Sequence, residues 1–138
     1  MRITKDLAGM FLSNLQPDQQ AVFLHLAQSL VAADARVDVA ESSRLEGFIS
    51  EIGTVVTPRA CTMSEVATIF NTRRARVSAF LELLALAHID GDYHASEAAF
   101  ITNLAAAFSI PPEDVDDMTS WVVRQLHLLR EAETFLED

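Results

Sequence analysis

The chain repeats itself. Shifting the 138-residue sequence by 56 positions lays "VAADARVDVAESSRLEGFISEIG" (31–53) over "AHIDGDYHASEAAFITNLAAAFS" (87–109), so that Asp34 falls on Asp90 and Glu41 on Glu97. The apolar positions follow. Leu45, Phe48, Ile49 and Ile52 fall on Ile101, Leu104, Ala105 and Phe108, and both sets have the i, i+3, i+4, i+7 spacing of one buried helix face. Upstream, Leu24 and Leu30 fall on Phe80 and Leu86. Helical spacing alone indicates only a core, but shared spacing together with shared acids indicates a duplicated unit, each copy covering the face the other exposes. The expected architecture is an all-α, duplicated helix-loop-helix bundle of about seven helices with pseudo-twofold symmetry. It forms one domain over 1–138, with motif copies near 22–53 and 78–109.

Turn and capping residues place the helix ends. A short helix is predicted over about 5–14, and Pro17 with Asp18 opens a second that runs to about Ala33. Asp38 and Glu41 form a capping box for the third, which stops at Gly53; Thr62 and Glu65 offer another for a short fourth helix. A fifth spans about 74–89, and a sixth runs from about Ala95 to just before "IPPED", where consecutive prolines cannot continue it. The last reaches about Phe135, with Val115, Met118, Val122, Leu126, Leu129 and Leu136 recurring at threes and fours on a face that must be covered. Trp121 lies near that face and reads as a core-edge indole ahead of an interaction anchor.

Composition narrows the function. Twenty acidic against ten basic residues give a net charge of -10, which argues against nucleic acid, because binding phosphates needs clustered Lys and Arg. The one basic cluster, "TRRARV" (72–77), is expected to be a solvated helix end or a partner for acidic side chains. Cys61 is the lone cysteine, so a disulfide framework and a Cys-based metal knuckle are both excluded. No apolar run approaches the roughly 18–20 residues that span a bilayer, since Gln28, Asp34, Glu82 and His88 interrupt the best candidates. The N-terminus lacks a signal-peptide pattern. A cytoplasmic protein without membrane insertion is expected.

Two segments carry a family likeness. "LAHIDGDYHASEAAFITNLAAAFSIPPEDV" resembles the second motif of the TerB-like (tellurite resistance protein B) family, of the form A-x-x-D-G-x-h-x-x-x-E followed by an amphipathic helix and a Pro-Glu turn. "LVAADARVDVAESSRLEGFISEIG" resembles the first copy, and the likeness extends over about 22–115. It implies an all-helical fold of approximate twofold symmetry found in bacterial tellurite-resistance and stress-response proteins. It also implies divalent-metal binding at acidic loops and interaction with proteins. The matching positions are Asp34 and Glu41 in the first copy and Asp90, Gly91 and Glu97 in the second. The first copy departs from the pattern with Ala35 in place of the glycine and Arg36 in place of Asp92. A guanidinium there can occupy the place of a cation.

The stretch "HIDGDYHASE" (88–97) supports two readings. As a polar turn, His88 and Ile89 finish a helix, Asp90 and Gly91 turn the chain, Tyr93 buries its ring, and His94 stands in the N-cap place that Asp38 holds in the first copy. As a metal site, Asp90, Asp92 and Glu97 supply hard oxygen donors for Ca or Mn, and an inward His88 or His94 would favour Zn, Mn or Ni; Asp34 and Glu41 are the equivalent donors in the first loop. It is not an EF-hand, because the twelfth position from Asp90 is Ile101 rather than a bidentate Glu. The expected function is a non-enzymatic module binding a divalent cation, a protein partner, or both. A metal-free scaffold or adaptor comes next. A metal-dependent hydrolase ranks last, because the chain has no HExxH, nucleophile elbow or phosphate-binding glycine loop.

Overall fold

The computed structural model describes residues 9–33, 39–53, 56–89, 91 and 93–137. Among them, six α-helices follow a 3-10 turn at Leu12–Asn14: α1 (Pro17–Ala32), α2 (Val39–Ile52), α3 (Val66–Ile69), α4 (Arg73–His88), α5 (Ala95–Ala107) and α6 (Pro112–Leu136). No strand occurs among these residues, and the protein is all-helical. The seven-helix expectation is corrected at the N-terminal end. Gly9 stands at φ +79, a left-handed conformation that does not continue an α-helix, and only the 3-10 turn follows it. Residues 5–8 of the expected first helix lie outside the described residues.

Helix ends follow local chemistry. Pro17 occupies the first turn of α1, where the Gln16 backbone N–H donates to Gln19 Oε1 at 2.9 Å. The Thr72 hydroxyl caps α4 by accepting from the Ala75 N–H at 3.1 Å. Before α3, the Thr62 N–H and hydroxyl both donate to Glu65 Oε1, at 3.0 and 2.8 Å, which makes only half of a capping box. The far end of α3 is closed by Arg76, whose guanidinium donates to the carbonyls of Phe70 (2.6 Å) and Ala67 (2.7 Å). That contact absorbs one arginine of the basic cluster. A second, Arg73, pairs with Asp114 at 3.2 Å on the surface.

The 56-residue offset reappears in the element boundaries. α1 and α4 each have 16 residues and both begin and end 56 positions apart; α2 and α5 begin 56 apart and end within one residue of that offset. The residues after them, Gly53 (φ +98) and Ser109 (φ +58), both adopt positive φ. After α5 this closes a Schellman motif, with Ile110 N–H donating to Ala105 O and Ser109 N–H to Ala106 O. Packing follows the same rule: α1 packs on α2 as α4 does on α5, and α2 touches α4 as α5 touches α1.

At the centre lies α4. Residues 82–87 are buried without interruption, which no amphipathic surface helix allows, and α1, α2, α5, α6 and the 3-10 turn all pack against it. One hydrophobic cluster joins the elements, with Phe23 and Phe48 edge-to-face at 5.0 Å and Phe70 and Phe108 at 5.4 Å. Phe48 and Leu104, 56 apart, are both fully buried; Ile49, expected on the same face, is 37% exposed, while its counterpart Ala105 is covered. α6 runs parallel to α4, because Arg73 meets Asp114 at one end and Arg130 donates to Ile89 O at the other. No helix among the described residues is long and apolar enough to cross a membrane.

Candidate functional site

The loop between α4 and α5 is held from three sides. At its start, the Gly91 N–H donates to His88 O at 3.0 Å with φ +80 at the glycine, a turn that a side chain would strain. Across the loop the His88 and Tyr93 rings stack, with centroids 4.1 Å apart and planes 23° from parallel. Tyr93 is therefore not buried as expected but 37% exposed, lying against the imidazole instead of inserting into the core. From α6, Arg130 donates to Ile89 O at 2.8 Å, and its guanidinium lies 3.9 Å from the point a Cβ on Gly91 would occupy. A positive charge thus sits directly against the acidic loop.

The loop leads into a buried carboxylate. Glu97, in the first turn of α5, is fully buried, and its charge adds to burial in raising the Tyr93 phenol above its ordinary value. His94 holds the N-cap position with extended backbone and no side-chain cap hydrogen bond, so imidazole fills the place without the capping function Asp or Ser would supply. In the first half, Glu41 occupies the equivalent place in the first turn of α2 and is 1% exposed. The positive end of a helix dipole favours an anion at both sites, while burial of a carboxylate costs several kcal/mol unless it is matched. Two buried acids at one repeat position are a shared feature.

The candidate ligands divide accordingly. His88, Glu97 and His94 line the second loop and Glu41 adjoins the first, whereas Asp90, Asp92 and Asp34 lie outside the described residues, as do Ala35 and Arg36. Among the described residues no three His, Cys, Asp or Glu side chains converge on a point that could hold a metal ion. A cation site in the second loop would have to draw on further donors. The described donors do not complete one by themselves.

A second polar feature went unread in the sequence. Arg44 on α2 and Glu82 on α4 are each 2% exposed and lie 3.6 Å apart, with the guanidinium 5.8 Å from the Phe48 ring centre. Burial pushes the Glu82 carboxyl up to about 7, against the opposing pull of Arg44 and of backbone N–H groups of Phe11 and Gly9. Burial likewise lowers the Arg44 guanidinium from its ordinary value, with the Glu82 charge opposing it. The pair ties α2, α4 and the N-terminal turn together. Its only local signal was a lone acid in the apolar run "AFLELLALA" (79–87), which implies an opposite charge from elsewhere in the fold.

Among the described residues, surface hollows lie away from the acidic loops. A groove of about 300 Å³ is lined by Ala105, Ala106, Ile110, Pro112 and Val115 with Asp116 as its carboxylate, and one of about 200 Å³ is lined by Arg73, Arg76, Phe108 and Ser109 among others. Neither brings a nucleophile together with a general base. Comparison with protein-family models, with curated proteins and with solved structures yields no significant match.

Proposed function

We propose that the chain is a non-enzymatic, TerB-like module of the tellurite-resistance and stress-response type, a duplicated helix-loop-helix with pseudo-twofold symmetry. It binds a divalent cation at the loop between α4 and α5 and offers its surface to a protein partner. The observation that carries this reading is the pair Glu41 and Glu97, fully buried carboxylates in the first turn after each acidic loop, 56 positions apart. A carboxylate kept inside the fold and preceded in sequence by Asp90 and Asp92 is suited to a hard cation such as Ca or Mn. The matching offsets of α1 with α4 and of α2 with α5 support the duplication.

The test is a calorimetric titration with Ca, Mn and Zn. One site is expected, in the second loop alone, because Arg36 replaces the carboxylate of Asp92 in the first. Asp90→Asn combined with Asp92→Asn should remove it with the helical circular dichroism unchanged. Two equivalent sites, or unchanged binding in the double variant, would reject the proposal.

A specific observation favours a metal-free scaffold as the second reading: the Arg130 guanidinium already lies against the loop. The two readings part at Arg130→Met. If a cation binds, removing the neighbouring positive charge tightens Ca or Mn binding; if the guanidinium itself serves the loop, the variant loses stability and gains no affinity.

A further inference from the structure

α6 carries two apolar stripes; the fold buries one and covers the other only in part, with the Phe11 ring 6.0 Å from that of Trp121 and Met118 packed on the core. Val122 and Leu126 face the core, whereas Trp121 (38% exposed), Leu128 (63%) and Phe135 (82%) recur every seven residues on an adjoining face. With Met118, Gln125 and Ala132, all half-buried, they form a continuous 3-4-3-4-3 spacing over 118–135. This is the heptad seam of a coiled coil, in which the two alternating positions face a partner helix. Met10 widens it, held over the helix by Gln125 at 3.1 Å and 48% exposed. α6 also outruns α4: the contact of Arg130 with Ile89 marks the end of α4, and six residues continue past it, roughly 9 Å of helix. Phe135 and Leu136 lie on this projecting segment.

We infer that this seam is a self-association surface, on which α6 of a second copy packs antiparallel to form a twofold dimer. Three features select that occupant. In an antiparallel pair, alternating core positions face each other, so Trp121 meets Ala132 of the second copy, Phe135 meets Met118, and Leu128 meets Gln125. Large side chains thus face smaller or more flexible ones. The exposed border of the seam holds Asp117, Arg124 and Glu131 at sevens, and the same register sets Arg124 against Glu131 twice by symmetry. Antiparallel helix dipoles also attract, whereas a parallel pair stacks Trp121 on Trp121 and leaves Arg124 without an acid across the interface. Heptad spacing would also fit a foreign helix, but the self-complementary charges fit this one. The surface involves neither acidic loop and stands apart from the cation reading.

A single pair of helices about 27 Å long buries less than the roughly 800 Å² per partner typical of stable complexes, so association should be reversible in the micromolar range. Sedimentation velocity of the full chain at about 0.15 M salt, where net-charge repulsion is screened, reads it directly. The mass should rise from 15.2 kDa towards twice that value with concentration. Leu128→Glu should give monomer at every concentration with unchanged helical signal, since Leu128 is exposed in the single chain. Arg124→Glu and Glu131→Arg should each weaken the dimer by about tenfold, and the two together should restore it. In a Cys61→Ser background, a mixture of Trp121→Cys and Ala132→Cys chains should form the mixed disulfide. Wild-type chain that stays monomeric into the high micromolar range overturns the inference, including where it captures a basic helical peptide instead. A dimer indifferent to Leu128→Glu, charge reversals that do not compensate, or disulfides only between identical variants would also overturn it.

Discussion

The two halves of the molecule place the same helices at the same offsets and fill equivalent positions with different chemistry. Positions 44 and 82 hold a buried Arg–Glu pair, while the positions 56 residues away, 100 and 26, hold Phe100 and Leu26 on α5 and α1, which pack together as α2 and α4 do. Leu26 is 2% exposed and Phe100 half-buried, so that location accepts apolar side chains in one half and an ion pair in the other. Burial favours the apolar version energetically, because two charges must be desolvated before their attraction is felt. The ion pair instead gives the N-terminal turn a specific anchor, through the Gly9 and Phe11 amides at Glu82.

The strongest way to break this comparison is to exchange the chemistry. Glu82→Leu alone leaves the Arg44 charge buried and should cost about 3–5 kcal/mol in urea unfolding. Arg44→Phe alone should cost less at pH 5 than at pH 8, because the Glu82 carboxyl can take up a proton once its partner is gone. The double variant Arg44→Phe/Glu82→Leu copies the other half and should recover wild-type stability or exceed it. A double variant as unstable as the worse single one would show that the two locations are not equivalent.

A smaller effect should appear on the pH axis. The Glu82 carboxyl, raised by burial from 4.5 to about 7 in the fold, holds its proton more tightly there than in the unfolded chain. That contribution is full below about pH 4.5 and is lost as pH rises through about 7, a change of order 3 kcal/mol. Glu82→Gln should flatten the stability profile across that window. An unaltered profile would mean the carboxyl does not titrate there.

Next in size are the helix stops. Ser109 at φ +58 carries a Cβ where Gly53 at φ +98 has none. Ser109→Gly should stabilise by about 0.5–1 kcal/mol and Gly53→Ser should destabilise by a similar amount or more, measured as opposite shifts in Tm. Shifts of the same sign would break the equivalence. An effect of no more than that size belongs to His94, where Ser or Asp should add roughly 0.5–1 kcal/mol by capping α5 and leave Ca or Mn affinity unchanged. A selective loss of Zn affinity in His94→Ser would instead make the imidazole a ligand.

Much of the fold was legible because its signals are local. Pro17, Gly53 and the prolines at 111 and 112 act on the backbone within a turn of themselves, and the ends of α1, α2, α4, α5 and α6 fall within one or two residues of their expected places. The N-terminal segment misled because Leu7, Met10, Phe11 and Leu12 suggest a helix, while Gly9 adopts a left-handed turn there. At the candidate site, Glu41 and Glu97 were legible as shared acids, but neither their burial nor the stacking of Tyr93 on His88 could be read from spacing.

What the sequence by itself determined is the helical class, the helix boundaries beyond the N-terminal turn and the 56-residue offset between them, since capping, proline geometry and apolar period are properties of neighbouring residues. Only the tertiary structure decided which charges are buried and with what. Glu82 finds Arg44 38 positions away, and Arg130 reaches Ile89 O across 41, and neither separation leaves a periodic trace. It also decided which stripe of α6 is buried. Both stripes have helical spacing, and the choice between Val122 with Leu126 and Trp121 with Leu128 is made by the surface of α4 that the helix lies against.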